Sequence, residues 1–272
     1  MTVEEDAERA VICALFRELP DAFVWFGGSV LHLLLSSPRV SYDLDLSPRQ
    51  HTVPVGSVVR VVRSVLAEVN PALGTSLALE EVKAAGPGNS VRLRVVEQER
   101  FRFAIDLTSI TGRLEHARVV MVESLVGPQA VVVPTDSCLL ALKLEALLFR
   151  RFLKPADVFD VWFLVSRGIR LDKQQRAWLS DQVLLREVGF SGIEGQLGTL
   201  TPQRFLADLS RNFPVSLRRG ACNSGTGANF AAFAKFVACT RIAPRRPQRC
   251  QSFWSDGARR RPAVRLSRNF PR

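Results

Sequence analysis

Several features that would indicate a function at once are missing from this 272-residue sequence. Its five cysteines are an odd number without a Cys-x-x-Cys pair, and its three histidines show no metal-ligand spacing, so neither a disulfide framework nor a zinc site is indicated. No apolar run approaches the roughly 20 residues that cross a bilayer. The N-terminal segment MTVEEDAERA is acidic where a signal peptide would be basic. We therefore expect a cytoplasmic protein without a membrane partner.

The basic charge of the sequence is concentrated in its C-terminal part. Residues 221–272 hold 11 Lys and Arg against one Asp, whereas residues 1–220 are close to neutral. The segment 221–272 is rich in Arg, Pro, Gly and Ser and lacks sustained periodicity after Val237, which predicts a disordered tail. Two interpretations of this tail stay open. It is either an arm that binds RNA phosphates or an out-of-frame extension without a selected role.

Hydrophobic periodicity in residues 1–220 predicts an α+β (α/β) protein, with a mixed-sheet core over residues 1–134 and a helical subdomain over 135–220. Strands are predicted at Ala22–Phe26, Tyr42–Leu46, Leu77–Ala84, Val91–Glu97 and Phe101–Thr108. Helices are predicted from the capping box Thr2-x-x-Glu5 to near Pro20, and at Ser29–Leu35, Val55–Val69 (stopped by Asn70-Pro71), Asp136–Arg151, Ala156–Arg167, Asp172–Glu187 and Pro202–Leu209. The later strands are expected to be antiparallel.

The stretch GGSVLHLLLSSPRVSYDLD carries two aspartates at alternate positions of a predicted strand. Asp43 and Asp45 project to one face of that strand, while Leu44 and Leu46 project into the core. Like charges this close raise each other's pKa and are unfavourable unless a cation lies between them, and Mg²⁺ prefers oxygen ligands. The plain alternative is a strand end whose acidic residues face water.

Two further features add to this aspartate pair. In the strand Phe101–Thr108 the apolar residues occupy one face and Asp106 the other, so Asp106 joins the pair if the two strands are neighbours. Three carboxylates can hold two metal ions. Upstream, Gly27, Gly28 and Ser29 lie between a strand and a helix, where glycine backbone and free N–H groups can approach a phosphate. Together these features indicate metal-assisted phosphate chemistry.

A second polar cluster is predicted in the helical segment LLALKLEALLFRRFLKPADVFDVWFLV. Lys143 emerges from a largely apolar helical stripe and needs an anionic partner, either a carboxylate of the fold or a nucleotide triphosphate. A snorkelling lysine is the alternative. Asp157 and Asp160 share one helix face at i and i+3. Because Pro155 suits the first helical position, these acidic residues could also simply complement the helix dipole.

These motifs resemble those of the DNA polymerase β-type nucleotidyltransferase superfamily. Within it, FGGSVLHLLL followed by RVSYDLDL is similar to the AbiEii/MenT toxin-type nucleotidyltransferases, whose pattern is roughly GG[ST]-x-L and then R-x-S-x-DLDL. The lysine-bearing helix and the D-x-x-D helix that follows resemble the second conserved block of that family. The resemblance covers about residues 20–167. It implies a polymerase β-like mixed sheet with flanking helices, in which residues 1–134 form the nucleotidyltransferase core.

The resemblance also implies a reaction and a set of residues that perform it. A nucleoside monophosphate would pass from a nucleoside triphosphate (NTP) to an acceptor hydroxyl, with pyrophosphate as the leaving group. The implied cofactor is Mg²⁺, as two ions, with Mn²⁺ as the alternative. The implied metal ligands are Asp43, Asp45 and Asp106. The implied catalytic residues are these three with Lys143, Asp157 and Asp160. The implied nucleotide-binding residues are Gly27, Gly28, Ser29, Arg39 and Lys143.

The acceptor and the partners are expected from the same resemblance. Related toxins act on the 3′ end of tRNA and are restrained by a separately encoded antitoxin, so a tRNA acceptor and an antitoxin protein are expected here. One alternative is a nucleotidyltransferase that modifies a small molecule, such as an aminoglycoside, or a protein hydroxyl. Another is a non-catalytic binding or regulatory module with this fold. Retention of the motif residues together argues against that last hypothesis.

Overall fold

Thirteen helices and strands form the part of the chain that the computed structural model describes, residues 2–49, 55–84, 90–110, 116–150 and 153–185. The strands are β1 (Phe23–Phe26), β2 (Asp43–Pro48), β3 (Leu77–Ala84), β4 (Val91–Glu97), β5 (Arg100–Leu107), β6 (Ala117–Val122) and β7 (Gln129–Pro134). The helices are α1 (Val3–Glu18), α2 (Gly28–Leu33), α3 (Val55–Leu73), α4 (Asp136–Phe149), α5 (Pro155–Ser166) and α6 (Lys173–Leu185). The predicted helix Pro202–Leu209 and the predicted tail lie outside the described residues.

The larger sheet has the strand order β1-β2-β5-β4-β3. Strands β2 and β5 are parallel, whereas the other neighbouring pairs are antiparallel. Strands β6 and β7 form a separate antiparallel hairpin. The predicted mixed sheet with flanking helices is therefore confirmed. No helix in the described ranges is long and apolar enough to cross a membrane.

The first residues of helices α1 and α5 follow from capping signals in the sequence. At the start of α1, the Thr2 hydroxyl accepts a hydrogen bond from the Glu5 N–H, and the Glu5 carboxylate accepts one from the Thr2 N–H. This is the predicted capping box, which satisfies two N–H groups that a helix otherwise leaves free. Pro155 occupies the first position of α5, as predicted. These two predictions are confirmed.

The prediction that Asn70-Pro71 stops α3 is wrong. Pro71 lies inside the helix, and the chain leaves it at Gly74, whose φ of +63° favours glycine. Proline removes one backbone donor near the end of the helix. The Asn70 side chain holds the turn that follows: its Oδ1 accepts from Thr75 Oγ1 and from Leu77 N, and its Nδ2 donates to Leu77 O, each at 2.9 Å. The helix therefore ends at Leu73, and the Asn70 side chain, instead of stopping the helix, binds the first residue of β3.

The alternation predicted for β5 is interrupted by a β-bulge. Val95 pairs with Phe103, but Val96 pairs with Phe101, so Arg102 is an extra residue in β5. Phe101 is consequently 43% exposed, and its predicted place on the apolar face is wrong. The positions after the bulge keep the predicted alternation, with apolar residues buried on one face.

The β6–β7 hairpin is a finding that periodicity did not predict. Val119 and Met121 are exposed on β6, so this strand lacks the pattern of apolar residues inside and polar residues outside that marks a half-buried strand. Strand β7 and helix α4 contribute residues to one continuous hydrophobic core with the main sheet. The predicted division after residue 134 thus coincides with the end of β7 without separating two cores. The domain boundaries stay predictions.

Replacing Asn70 with alanine should lower the free energy of unfolding by about 1–3 kcal/mol, because the backbone groups of Leu77 lose their hydrogen-bond partners. Urea unfolding measures this change. The matched control is Glu68→Ala on the exposed face of the same helix, which should change stability by no more than about 0.5 kcal/mol. If both variants lose the same amount, Asn70 does not hold the turn.

Candidate active site

Three carboxylates lie on one face of two neighbouring strands. Strands β2 and β5 run parallel, with Asp45 opposite Asp106 and Asp43 opposite Ala104. Leu44 and Leu46 are fully buried on the other face of β2. Side chains at alternate positions of a strand share a face, so the register brings the three carboxylates together. The two strands are neighbours, which is the condition under which Asp106 joins the aspartate pair, and the predicted alternation in β2 is confirmed.

Asp45 is the carboxylate most constrained by its surroundings. A Cβ atom on Gly27 would lie 1.9 Å from Asp45 Oδ2, and Gly27 has a φ of +85°, so only glycine fits beside this carboxylate. Asp45 has no hydrogen-bond or ion-pair partner among the described residues. Burial raises the pKa of Asp45 to about 7; Lys143 opposes the rise, and Asp43 and Asp106 add to it.

The two other carboxylates, Asp43 and Asp106, share the guanidinium of Arg92, a contact that the sequence did not predict. Arg92 on β4 places Nη2 2.6 Å from Asp43 Oδ1 and Nη1 3.0 Å from Asp106 Oδ2. Burial raises the pKa of Asp106, and Arg92 opposes that rise. Arg92 lies directly opposite Asp106 in the register of β4 and β5. Its alternation with apolar residues in VRLRVVE put it on the polar face, but its partner becomes evident only when the strand order is known.

The chemistry of these donors fits a divalent cation, although their present positions do not form a finished metal site. Asp43, Asp45 and Asp106 supply only oxygen, which Mg²⁺ prefers, and their mutual repulsion would be relieved by positive charge. Within the described ranges, no group of three or more Asp, Glu, His and Cys side chains is arranged to hold a metal ion. Arg92 lies between two of the three carboxylates. Their assignment as metal ligands stays a prediction.

The glycine turn at the start of α2, in which Gly27 is the N-cap and Gly28 and Ser29 are the first two residues of the helix, is packed against the protein's own side chains. A Cβ atom on Gly28 would lie 2.5 Å from Arg39 Nη2 and 2.7 Å from Ser41 Oγ. Ser29 is fully buried, and its Oγ accepts a hydrogen bond from Trp25 Nε1 at 2.9 Å. The small residues of the motif therefore let the strand that carries Asp45 and the segment around Arg39 approach the turn closely. The phosphate-binding role of the turn stays a prediction.

A buried ion-pair network joins this turn to α4 and α5. Asp160 is fully buried and accepts hydrogen bonds from Arg39 Nε and Nη2, both at 2.8 Å, while Lys143 Nζ lies 2.7 Å from Asp160 Oδ2. Burial alone would raise the pKa of Asp160, but Lys143 and Arg39 hold it below its usual range. Of the partners left open for Lys143, the structure thus shows a carboxylate of the fold.

Asp157 extends this network towards the protein surface. Its Oδ2 lies 2.7 Å from Arg150 Nη1, and its Oδ1 lies 3.8 Å from Lys143 Nζ. Asp157 and Asp160 are therefore paired with cations, so their role is not confined to complementing the dipole of α5. The guanidinium of Arg39 is committed to Asp160 in this structure. The catalytic and nucleotide-binding roles predicted for these residues stay predictions.

Cations surround the three carboxylates on several sides. The positive charges of Lys143 and Arg150 act on Asp45, and those of Arg92 and Lys154 act on Asp106. Lys154 immediately precedes α5, so three of these four cations come from α4 and the segment that follows it. A cluster of carboxylates with basic side chains around it can bind a divalent cation and a polyphosphate together, since each compensates the charge of the other.

Comparison with known proteins adds an independent finding. A family model described as "Nucleotidyl transferase AbiEii toxin, Type IV TA system" matches residues 13–213. No curated protein matches the chain. Among solved structures, the chain is similar to JHP933 from Helicobacter pylori, with 14% identity, a TM-score of 0.47 and coverage of 86% of this chain and 90% of that chain. It is also similar to an antigenic nucleotidyltransferase-like protein from Paracoccidioides brasiliensis, with 14% identity, a TM-score of 0.39 and coverage of 70% and 93%.

Replacing Asp160 with alanine should lower the free energy of unfolding by about 3–5 kcal/mol, because it leaves two buried cations, Arg39 and Lys143, without their shared carboxylate. Urea unfolding followed by circular dichroism measures this loss. Asp181→Ala on the exposed face of α6 is the control and should change little. A loss below about 1 kcal/mol for Asp160→Ala would contradict a structural role for the network.

The pKa of Asp45 predicts how stability depends on pH. Because its folded pKa of about 7 lies above the ordinary value of 3.8, the folded state resists ionisation, and this group increasingly destabilises the protein as pH rises from about 4 to 7. Asp45→Asn removes this effect. Asp45 keeps some solvent exposure, and solvent screening reduces the size of this effect. We therefore expect the difference in free energy of unfolding between Asp45→Asn and wild type to grow, in favour of the variant, by about 2 kcal/mol from pH 5 to pH 8.

Urea unfolding at the two pH values, in buffer with a chelator, tests this expectation. Asp181→Asn is the control, because its carboxylate is exposed on α6. A stability difference between wild type and Asp45→Asn that stays constant from pH 5 to pH 8 would refute the raised pKa.

Proposed function

Because the chain belongs to the AbiEii nucleotidyltransferase toxin family of type IV toxin-antitoxin systems, we propose that it transfers a nucleoside monophosphate from an NTP to the 3′ end of a tRNA. The observation that carries this proposal is the carboxylate triad Asp43, Asp45 and Asp106, which lies beside the Gly27 turn and among basic side chains. Family membership supports nucleotidyl transfer. The tRNA acceptor and the dependence on a metal are parts of the proposal.

The triad would hold Mg²⁺, as two ions or with Mn²⁺ in their place. When bound, these ions would supply positive charge to the triphosphate and lower the pKa of the attacking hydroxyl. Asp45 lies at the centre of this arrangement, because it pairs in register with Asp106 on the neighbouring strand and its carboxylate lies close to the turn at Gly27. A carboxylate that is costly to ionise without a cation gains most when one is bound.

The basic side chains would bind the substrate rather than the metal. Lys143 is largely buried, with 13% of its side chain exposed, and its charge acts on Asp45, so it would stabilise negative charge that develops on the transferred phosphoryl group. The ion pair with Asp160 orients Lys143. Arg150, with 43% of its side chain exposed, is accessible to a polyphosphate. For the turn at Gly28 and Ser29 to contact a terminal phosphate, the side chains of Arg39 and Ser41 that pack on it would have to move.

The choice of a tRNA acceptor rests on the toxin family and on the distribution of charge. Eleven Lys and Arg in residues 221–272 would favour a nucleic acid over a small neutral acceptor. An antitoxin partner, which the family description implies, and a cytoplasmic location complete the proposal. Transfer to a small molecule or to a protein hydroxyl is the alternative outcome, because the first 220 residues are nearly neutral.

Incubation of the protein with total tRNA, Mg²⁺ and each labelled NTP in turn tests the proposal. Wild type should label RNA with at least one nucleotide. Asp43→Ala and Asp45→Ala should each lose about 10²-fold or more of this transfer, because the triphosphate loses its charge compensation. Asp181→Ala, which removes an exposed carboxylate on α6, is the control and should transfer normally.

The outcomes separate the parts of the proposal. Label that appears on a hydroxylated small molecule or a protein, but on no RNA, would replace the tRNA acceptor with the alternative. Full transfer by Asp43→Ala, or full transfer by wild type in the presence of a chelator, would refute the metal assignment.

A further inference from the structure

Arg92 differs from the other cations around the triad because it bridges two of its carboxylates. Its two terminal nitrogens contact carboxylates from two different strands, Asp43 on β2 at 2.6 Å and Asp106 on β5 at 3.0 Å. Lys143 and Arg150, in contrast, make their close contacts with Asp157 and Asp160. Among the described cations, Arg92 is therefore the one whose charge lies directly between two predicted metal ligands.

This placement makes Arg92 a competitor of any divalent cation. The oxygens that accept hydrogen bonds from Arg92 are oxygens that a cation on Asp43 and Asp106 would need. A guanidinium remains charged at any accessible pH, so Arg92 cannot give way by losing a proton. It can give way only by moving, either into water or to another anion. Its side chain is 38% exposed, so it is not fixed by burial and can rotate away.

We propose that Arg92 is a resident counter-ion that holds Asp43 and Asp106 together in the nucleotide-free protein, and that it transfers to the triphosphate when NTP binds. This inference rests on the proposed function, since it takes NTP as the substrate. The exchange balances charge on both sides: the carboxylates give up a guanidinium and gain a divalent cation, while the phosphates gain the guanidinium. Arg92 thereby makes metal binding depend on the nucleotide.

The chain contains a closely matched control for this inference. Arg94 lies two residues further along β4, on the same face, and its side chain is also 38% exposed. It is also paired, with Glu80 Oε2 at 3.2 Å, and its guanidinium lies over the ring of Phe101. Arg94 thus matches Arg92 in residue type, strand, exposure and ion pairing, but its partner lies outside the triad.

The test is the affinity of the nucleotide-free protein for Mn²⁺, measured by isothermal titration calorimetry. Arg92→Gln should bind Mn²⁺ about tenfold more tightly than wild type, because two contacts that compete with the ion are removed, each comparable to an exposed ion pair. Arg94→Gln should bind Mn²⁺ like wild type. Arg92→Lys keeps the charge but cannot bridge both carboxylates with two nitrogens, so its affinity should lie between those of wild type and Arg92→Gln.

A second measurement follows the other half of the exchange. With a non-hydrolysable NTP analogue and Mg²⁺ present, Arg92→Gln should bind the analogue several-fold more weakly than wild type, since the triphosphate loses one donor. Arg94→Gln should bind it normally. If Arg92→Gln proves too unstable to purify, the Mn²⁺ affinities of Arg92→Lys and wild type decide the matter, because lysine keeps the charge on the strand but cannot bridge the two carboxylates.

The results distinguish this inference from the proposed function. If transfer requires Asp43 but Arg92→Gln and Arg92→Lys bind Mn²⁺ no more tightly than wild type, Arg92 is not a competing counter-ion and only this inference fails. If Asp43→Ala transfers at the full rate, the metal assignment fails whatever Arg92 does. Equal tightening of Mn²⁺ binding in Arg92→Gln and Arg94→Gln would also overturn the inference, because it would reflect the loss of general positive charge.

Discussion

Electrostatic repulsion among three carboxylates is the constraint around which this part of the protein is arranged. Asp43, Asp45 and Asp106 are held on one face of two parallel strands by a register that the buried leucines of β2 stabilise. Moving one of these aspartates to the other face would need a shift of register, which would also move its neighbours to the wrong face. The fold therefore cannot relieve the repulsion by moving the acids, and relief has to come from cations brought to them.

The cations come from two directions and are attached differently. Arg92 comes from the sheet itself and is partly exposed, so its contacts with the acids are individually weak and exchangeable. Lys143 and Arg39 converge on Asp160, which is fully buried, so this part of the site is fixed by interactions that are costly to break. The site thus combines a buried and fixed network, formed by Arg39, Lys143 and Asp160, with one partly exposed basic side chain, Arg92. Such a combination suits a nucleoside triphosphate, which has to be bound before the reaction and from which pyrophosphate has to leave afterwards.

The sequence predicted those parts of the site that depend on local alternation and left out those that depend on pairing between distant segments. The positions of Asp43, Asp45 and Leu44 follow from the two-residue period of a strand, and the fold class follows from the order of the elements. The role of Arg92 needed the strand order, which places β4 beside β5, and alternating arginines are ordinary on a polar strand face. The partner of Lys143 was one of several anions compatible with the sequence. Phe101 was misplaced because a bulge shifts the alternation without a mark in the residue types.

The pair between Arg39 and Asp160 joins residues that are 121 positions apart in the chain. During synthesis, the glycine turn and strand β2 leave the ribosome well before α5. The network of Arg39, Lys143 and Asp160 therefore forms only after most of the described chain has been made. Forming contacts over such a separation requires closing a long loop, which costs chain entropy. Nascent and truncated chains that end before α5 therefore lack the anchor of Lys143. Any activity that depends on Lys143 would therefore appear only after Asp160, residue 160 of the 272-residue chain, has been made.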